Sequence, residues 1–159
     1  MKQLGVIGLG IMGVNLARNA ARNGASIVVF NRTQDTTEKF LKEFQKEAQF
    51  QGSKSYKEFV QLLTPPRQIL LMVKAGEAVD AVIAELTPLL TEGDILIDAG
   101  NSHYRDTERR IRMCAEEGIR FVGMGVSGGE EGALHGPSMM PGGDRDAYDV
   151  LKELFSLMA

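Results

Sequence analysis

Gly8-Leu9-Gly10-Ile11-Met12-Gly13 has the spacing G-x-G-x-x-G, placed between a short β-branched run and an amphipathic stretch. In that setting each glycine has its own task. Gly8 permits a tight turn, Gly10 lets a pyrophosphate approach the backbone, and Gly13 lets the helix lie close to the strand. The free N–H groups and positive dipole at a helix start then favour a phosphate. A chain with 18 glycines can produce this spacing by chance, and a tight turn without a ligand is the competing reading. The strand before and the helix after make a dinucleotide loop the expectation.

The end of the second β-branched run tests which dinucleotide. An NAD site usually places Asp or Glu there for the ribose 2′-hydroxyl. This chain has Asn31-Arg32-Thr33. A carboxylate would repel a 2′-phosphate, whereas Arg32 can hold one through a charge-assisted contact, with Asn31 and Thr33 as neutral donors. NADP is therefore expected over NAD, against the alternative of a merely solvated arginine. Three more segments follow apolar runs: Val73-Lys74-Ala75-Gly76, Asp98-Ala99-Gly100-Asn101-Ser102 and Val126-Ser127-Gly128-Gly129-Glu130-Glu131-Gly132. Open α/β sheets bind ligands where such strands end. His103 and His135 lack metal-ligand spacing and read as loop residues, so no metal site is expected.

The elements needed to position these groups follow from periodicity. Strands are expected at Leu4–Gly8, Ser26–Phe30, Gln68–Val73, Asp94–Ala99 and Arg120–Val126, with a weaker one at Phe50–Ser53. Helices are expected at Ile11–Asn23, from about Asp35 (with Asp35 and Glu38 as a capping box), and at Tyr56–Leu63, Glu77–Leu90, Thr107–Glu117 and Asp146–Met158. Repeated strand–helix units imply a Rossmann-like doubly wound α/β fold, with a mainly parallel sheet and helices on both faces. Leu151, Leu154, Phe155 and Met158 form one apolar face of the last helix, which runs to Ala159 without a cap. That ending leads us to expect that the chain is cut from a longer one.

Bulk properties exclude several classes. The 159 residues suit one domain, and 43% hydrophobic with 25% charged is ordinary globular composition. A net charge of −3 gives no reason to expect nucleic acid. No apolar run approaches the ~20 residues of a membrane span, and no signal peptide is visible. The single cysteine, Cys114, is expected to pack in a helix, in a reducing cytoplasmic setting.

The motifs together resemble 6-phosphogluconate dehydrogenase. The resemblance rests on Asn31-Arg32-Thr33, Val73-Lys74-Ala75-Gly76, Gly100-Asn101-Ser102 with Tyr104-Arg105-Asp106, and Ser127-Gly128-Gly129-Glu130-Glu131-Gly132-Ala133. Gly136-Pro137-Ser138 and Met140-Pro141-Gly142-Gly143 extend it. It runs from the first strand to about Gly143. Related β-hydroxyacid dehydrogenases share the phosphate loop and a Ser-Gly-Gly segment but usually lack the paired glutamates and the Gly-Pro-Ser. The chain departs from the pattern at Leu134-His135, where a larger basic–aromatic pair is usual, and at His103, where an acid is frequent.

The resemblance implies residues 1–159 as an NADP-binding domain for one step of the pentose phosphate pathway. A hydride passes from C3 of 6-phosphogluconate to NADP, CO2 is lost, and the enediol is protonated to ribulose 5-phosphate. Gly8, Leu9, Gly10, Ile11, Met12, Gly13, Asn31, Arg32, Thr33, Val73, Lys74 and Ala75 would contact NADP. Asn101 would lie between nicotinamide and substrate, and Ser127, Gly128 and Gly129 would bind substrate. The lysine base and glutamate acid would lie beyond Ala159, in or near a helical domain that also makes a homodimer. The chain alone would then hold no catalytic acid or base and show no turnover. The alternatives are a 3-hydroxyisobutyrate or tartronate semialdehyde reductase, or an NADP-binding module without chemistry.

Overall fold

The structure is a computed structural model that describes residues 2–159. Its strands are β1 (Gln3–Ile7), β2 (Ser26–Phe30), β3 (Phe50–Gly52), β4 (Gln68–Leu71), β5 (Ile95–Asp98), β6 (Arg120–Ser127) and β7 (Ser138–Gly143). Its helices are α1 (Ile11–Arg22), α2 (Gln34–Phe44), α3 (Tyr56–Gln61), α4 (Glu77–Leu86), α5 (Tyr104–Glu116), α6 (Gly129–His135) and α7 (Arg145–Met158). The sheet order is β3-β2-β1-β4-β5-β6-β7, all parallel except β7, which runs antiparallel to β6. The chain reverses its direction of winding between β1 and β4, and this is the switch point at which such sheets open a crevice.

Alternation along the strands supplies two cores. Ile27 and Val29 face the cluster built with α1, α6 and α7, while Val28 and Phe30 face the one built with α3, α4 and α5. Both faces being covered explains why the central strands read as unbroken apolar runs. The face of α7 formed by Leu151, Leu154, Phe155 and Met158 is buried in the first cluster. It is thus covered within this fold.

Several expected boundaries shift. The strands expected to reach Val73 and Ala99 end at Leu71 and Asp98, and α4 stops at Leu86 before a 3₁₀ turn at Thr87–Leu89 that contains Pro88. The capping box expected at Asp35 does not form. Thr33 is the N-cap without a side-chain bond, and Asp35 instead pairs with Lys39 at 2.7 Å, one turn on. Helix α5 begins three residues early, because the His103 ring nitrogen accepts the Arg105 N–H and caps it. Two elements, α6 and β7, were not expected at all, and α6 takes in His135, expected in a loop.

Candidate functional site

The phosphate loop is built from close backbone contacts. Gly8 has φ of 98°, and a Cβ there would lie 2.2 Å from the Met72 carbonyl oxygen. At Gly13 a Cβ would lie 1.9 Å from the Gly8 carbonyl oxygen, so α1 can sit on β1 only without a side chain. Gly10, the N-cap of α1, behaves differently: a Cβ there would meet nothing within 4 Å. The helix start therefore faces open space. No acidic residue occupies its first turn, and no side chain caps it. Its N–H groups are left for an anion.

The end of β2 is tied to this loop. The Asn31 side-chain oxygen accepts the Leu9 N–H at 2.9 Å, and its amide donates to the Thr33 carbonyl at 3.3 Å. Asn31 thus holds the turn with the groups that were expected to face a ligand. Arg32 is exposed and makes no ion pair among the described residues. It is a cation without an ion partner at the end of β2.

At the switch point a cleft of about 350 Å³ opens between the carboxyl ends of β1, β4 and β5. Gly10, Ile11, Met12 and Gly13 form one wall, Val73, Lys74 and Ala75 another, and Gly100, Asn101 and Val126 the end. Ile11 is 65% exposed at its mouth, an unusual place for a large aliphatic side chain without a partner. Three of the expected segments are thus brought to one concavity, joined by Val126 from a fourth, while Asn31, Arg32 and Thr33 lie outside its lining. Ser127, Gly128 and Gly129 follow Val126 at the rim and are exposed, but they do not line this cleft.

Asn101 has a positive φ of 53°, a conformation asparagine tolerates better than most residues. Its side-chain oxygen accepts the Val126 N–H at 2.9 Å, and its amide donates to the Val126 carbonyl at 3.3 Å. Pairing of β5 with β6 ends at Asp98 and Gly123. Beyond that point the Asn101 carboxamide supplies β6 with the donor and acceptor of a strand residue. Asn101 does not cap α5, whose N-cap is His103.

Sequence reasoning missed a buried cation. Arg110 is fully buried, and its guanidinium reaches both oxygens of Asp80 (2.9 and 3.3 Å), the Gly76 carbonyl (3.0 Å), the Ser102 hydroxyl (3.2 Å) and Asp98 (3.5 Å). Asp98 in turn accepts the Gly100 N–H at 3.0 Å. The Arg110 guanidinium beside Asp80 holds that carboxyl below its usual range against the opposing effect of burial, and Arg109 adds to it. The available signal was Arg110 four residues before Cys114, on the buried face of a helix otherwise crowded with charges. Cys114 itself is buried, and desolvation pushes its thiol up to about 11. The packing role expected for it holds.

Fold and cleft together define a dinucleotide-binding domain of the doubly wound α/β class. A family profile described as the NAD binding domain of 6-phosphogluconate dehydrogenase matches residues 3–159. The chain belongs to that family. It is 53% identical over 158 residues to the NADP(+)-dependent decarboxylating 6-phosphogluconate dehydrogenase of Bacillus subtilis, covering 99% of this chain and 34% of the relative. A second Bacillus subtilis relative, named NAD(+)-dependent, is 49% identical over 98% of this chain and 33% of the relative. The chain spans about a third of the length of these relatives. Among solved structures, Plasmodium falciparum 6-phosphogluconate dehydrogenase, described in apo form, with NADP+ and with 6-phosphogluconate, superposes with a TM-score of 0.92 at 43% identity. The overlap covers 99% of this chain and 34% of that one. Mycobacterium tuberculosis 3-hydroxyisobutyrate dehydrogenase, at 20% identity, TM-score 0.87 and coverage of 100% and 52%, shares the fold alone.

Proposed function

We propose that this chain is the NADP-holding domain of a decarboxylating 6-phosphogluconate dehydrogenase. The observation that carries the reading is the uncapped start of α1 facing an open cleft, with a free Arg32 and no carboxylate at the end of β2. Bound there, NADP would supply the hydride acceptor. The N–H groups of the α1 start hold its pyrophosphate, and Arg32 with Thr33 holds the 2′-phosphate. Val73, Lys74 and Ala75 bound the cleft opposite the phosphate loop. Asn101 keeps one amide hydrogen and one lone pair beyond its bonds to Val126, so its carboxamide can still touch the nicotinamide or the substrate. Ser127, Gly128 and Gly129 lie at the rim, where a polyol carboxylate would be oriented.

The likeness to relatives named for this reaction supports 6-phosphogluconate as substrate and CO2 as a product; ribulose 5-phosphate as the second product and a homodimer as the working form complete the proposal. General acid and base come from outside this stretch of chain. No helix among the described residues is long and apolar enough to cross a membrane, and the lone buried cysteine suits a cytoplasmic setting. Calorimetry of the chain with each dinucleotide tests the reading. NADP should bind more tightly than NAD, and Arg32→Asp should narrow or reverse the difference. A charge-assisted hydrogen bond is worth about 1.5–3 kcal/mol, or roughly 10- to 150-fold, and exposure of Arg32 places the effect at the lower end. Equal affinities in the wild type would remove the role given to Arg32, and no binding of either would remove the reading.

A further inference from the structure

We infer that Arg110 is a positioning residue for the nicotinamide end of the cleft, acting on the ligand only through the loops it holds. The inference rests on the cleft being the NADP site. The guanidinium lines no part of the cleft and is fully buried, yet it joins the two segments that bound its far end. Through the Gly76 carbonyl and Asp80 it fixes the turn between β4 and α4, which carries Val73, Lys74 and Ala75. Through Ser102 and Asp98 it fixes the turn between β5 and α5, which carries Gly100 and Asn101. These turns belong to different crossovers, and their tips approach closely: a Cβ on Gly100 would lie 2.7 Å from the Val73 carbonyl oxygen.

The chemistry of the hub favours arginine specifically. A planar fork with five N–H donors can serve two carboxylates, a hydroxyl and a carbonyl from one buried point, whereas an ammonium offers three donors and no fixed plane. The buried cation is also compensated. Asp80 and Asp98 face Arg110 directly, with Arg109 on the outer side of Asp80 and Asp106 near Arg109. Burying one cation is tolerable with such partners, and removing it would leave Asp98 without its counter-charge. The adenosine half of the site makes no direct contact with this hub. It is built from the phosphate loop and the Asn31–Thr33 turn, which Arg110 does not touch.

That division gives a readout that a general loss of stability would not produce. The chain and its Arg110→Lys, Arg110→Met and Ser102→Ala variants are titrated with NADP and with 2′,5′-ADP, which lacks the nicotinamide half. Ser102→Ala weakens the link to the β5–α5 turn, leaving only the longer contact to Asp98, and keeps Arg110 paired with Asp80, so it serves where Arg110→Met does not fold. NADP affinity should fall by roughly 10-fold in Arg110→Met, the scale for residues that act on a site without touching its ligand. It should fall less in Arg110→Lys and Ser102→Ala, and 2′,5′-ADP affinity should stay within about 2-fold in all three. An unchanged ratio of the two affinities in every folded variant overturns the inference while leaving the NADP site standing. Failure of the wild type to bind either ligand overturns the site itself.

Discussion

Replacing Asn101 by alanine should destabilise the chain rather than merely empty a ligand contact. The wild-type carboxamide satisfies both backbone groups of Val126, at 2.9 and 3.3 Å, and Val126 is only 6% exposed. Leaving one buried backbone group unpaired costs about 1–3 kcal/mol. The second bond is long and Asn101 borders the open cleft, so water can replace part of the loss, and about 1–2 kcal/mol is a fair sum for the pair. Alanine must also adopt the φ of 53°, which adds about 1 kcal/mol. The total is about 2–3 kcal/mol, read by urea unfolding. Asn101→Gly keeps the backbone unstrained and should lose about 1 kcal/mol less, which separates strain from hydrogen bonding. Hydrogen exchange at the Val126 amide supplies the local check, and protection there should drop in both variants. An alanine variant within about 0.5 kcal/mol of wild type, with Val126 still protected, would refute the bridge as a source of stability.

Two other groups give pH- and reagent-dependent tests. Bonding to Arg18, with Arg22 behind it, lowers the Glu47 carboxyl from 4.5 to about 2. A depressed carboxyl stabilises the fold above its unfolded value, so this contribution is complete above about pH 4.5 and disappears as pH falls to about 2. Glu47→Gln should flatten acid unfolding in that window, and an unchanged acid limb would show that the pair does not matter. The Cys114 thiol, buried and pushed up to about 11, should resist a thiol reagent at pH 8 and react only at the rate of unfolding. Fast modification of the folded chain would contradict the burial of α5 on the sheet.

What was legible in the sequence, and what was not, follows from how each element is stabilised. The central strands are covered on both faces, so their apolar runs announce themselves, and the phosphate loop follows from glycines with distinct steric duties. Helix α6 was illegible because Gly129 and Gly132 lower its propensity. Tertiary contacts support it instead: Ala133 is fully buried, and the buried Asn19 side chain donates to the Ala133 carbonyl at 3.1 Å and the Met158 carbonyl at 2.8 Å. Strand β7 contains Pro141 and two glycines, which suits only an edge, and its antiparallel pairing with the expected strand β6 has no signal in the local pattern. Arg110 was hidden for a related reason. Its charge reads as a solvated face until the fold brings Asp80 and Asp98, distant in sequence, against it.

The same device recurs at every turn bordering the cleft. Asn31 holds Leu9, Asp98 holds Gly100, Asn101 holds Val126, and Arg110 joins the two middle turns. The braced backbone groups lie in such turns or, at Val126, in a strand that outruns its parallel neighbour, so they would otherwise be unpaired near an apolar core. Polar side chains close those gaps and, in doing so, fix the turn tips at the spacing the cleft requires. On the function proposed above, these inner braces would serve either dinucleotide, and the choice between NAD and NADP would rest on the exposed Arg32. Exchanging Arg32 alone should therefore change cofactor preference at little cost in stability, whereas exchanging a brace such as Asp98 should do the reverse.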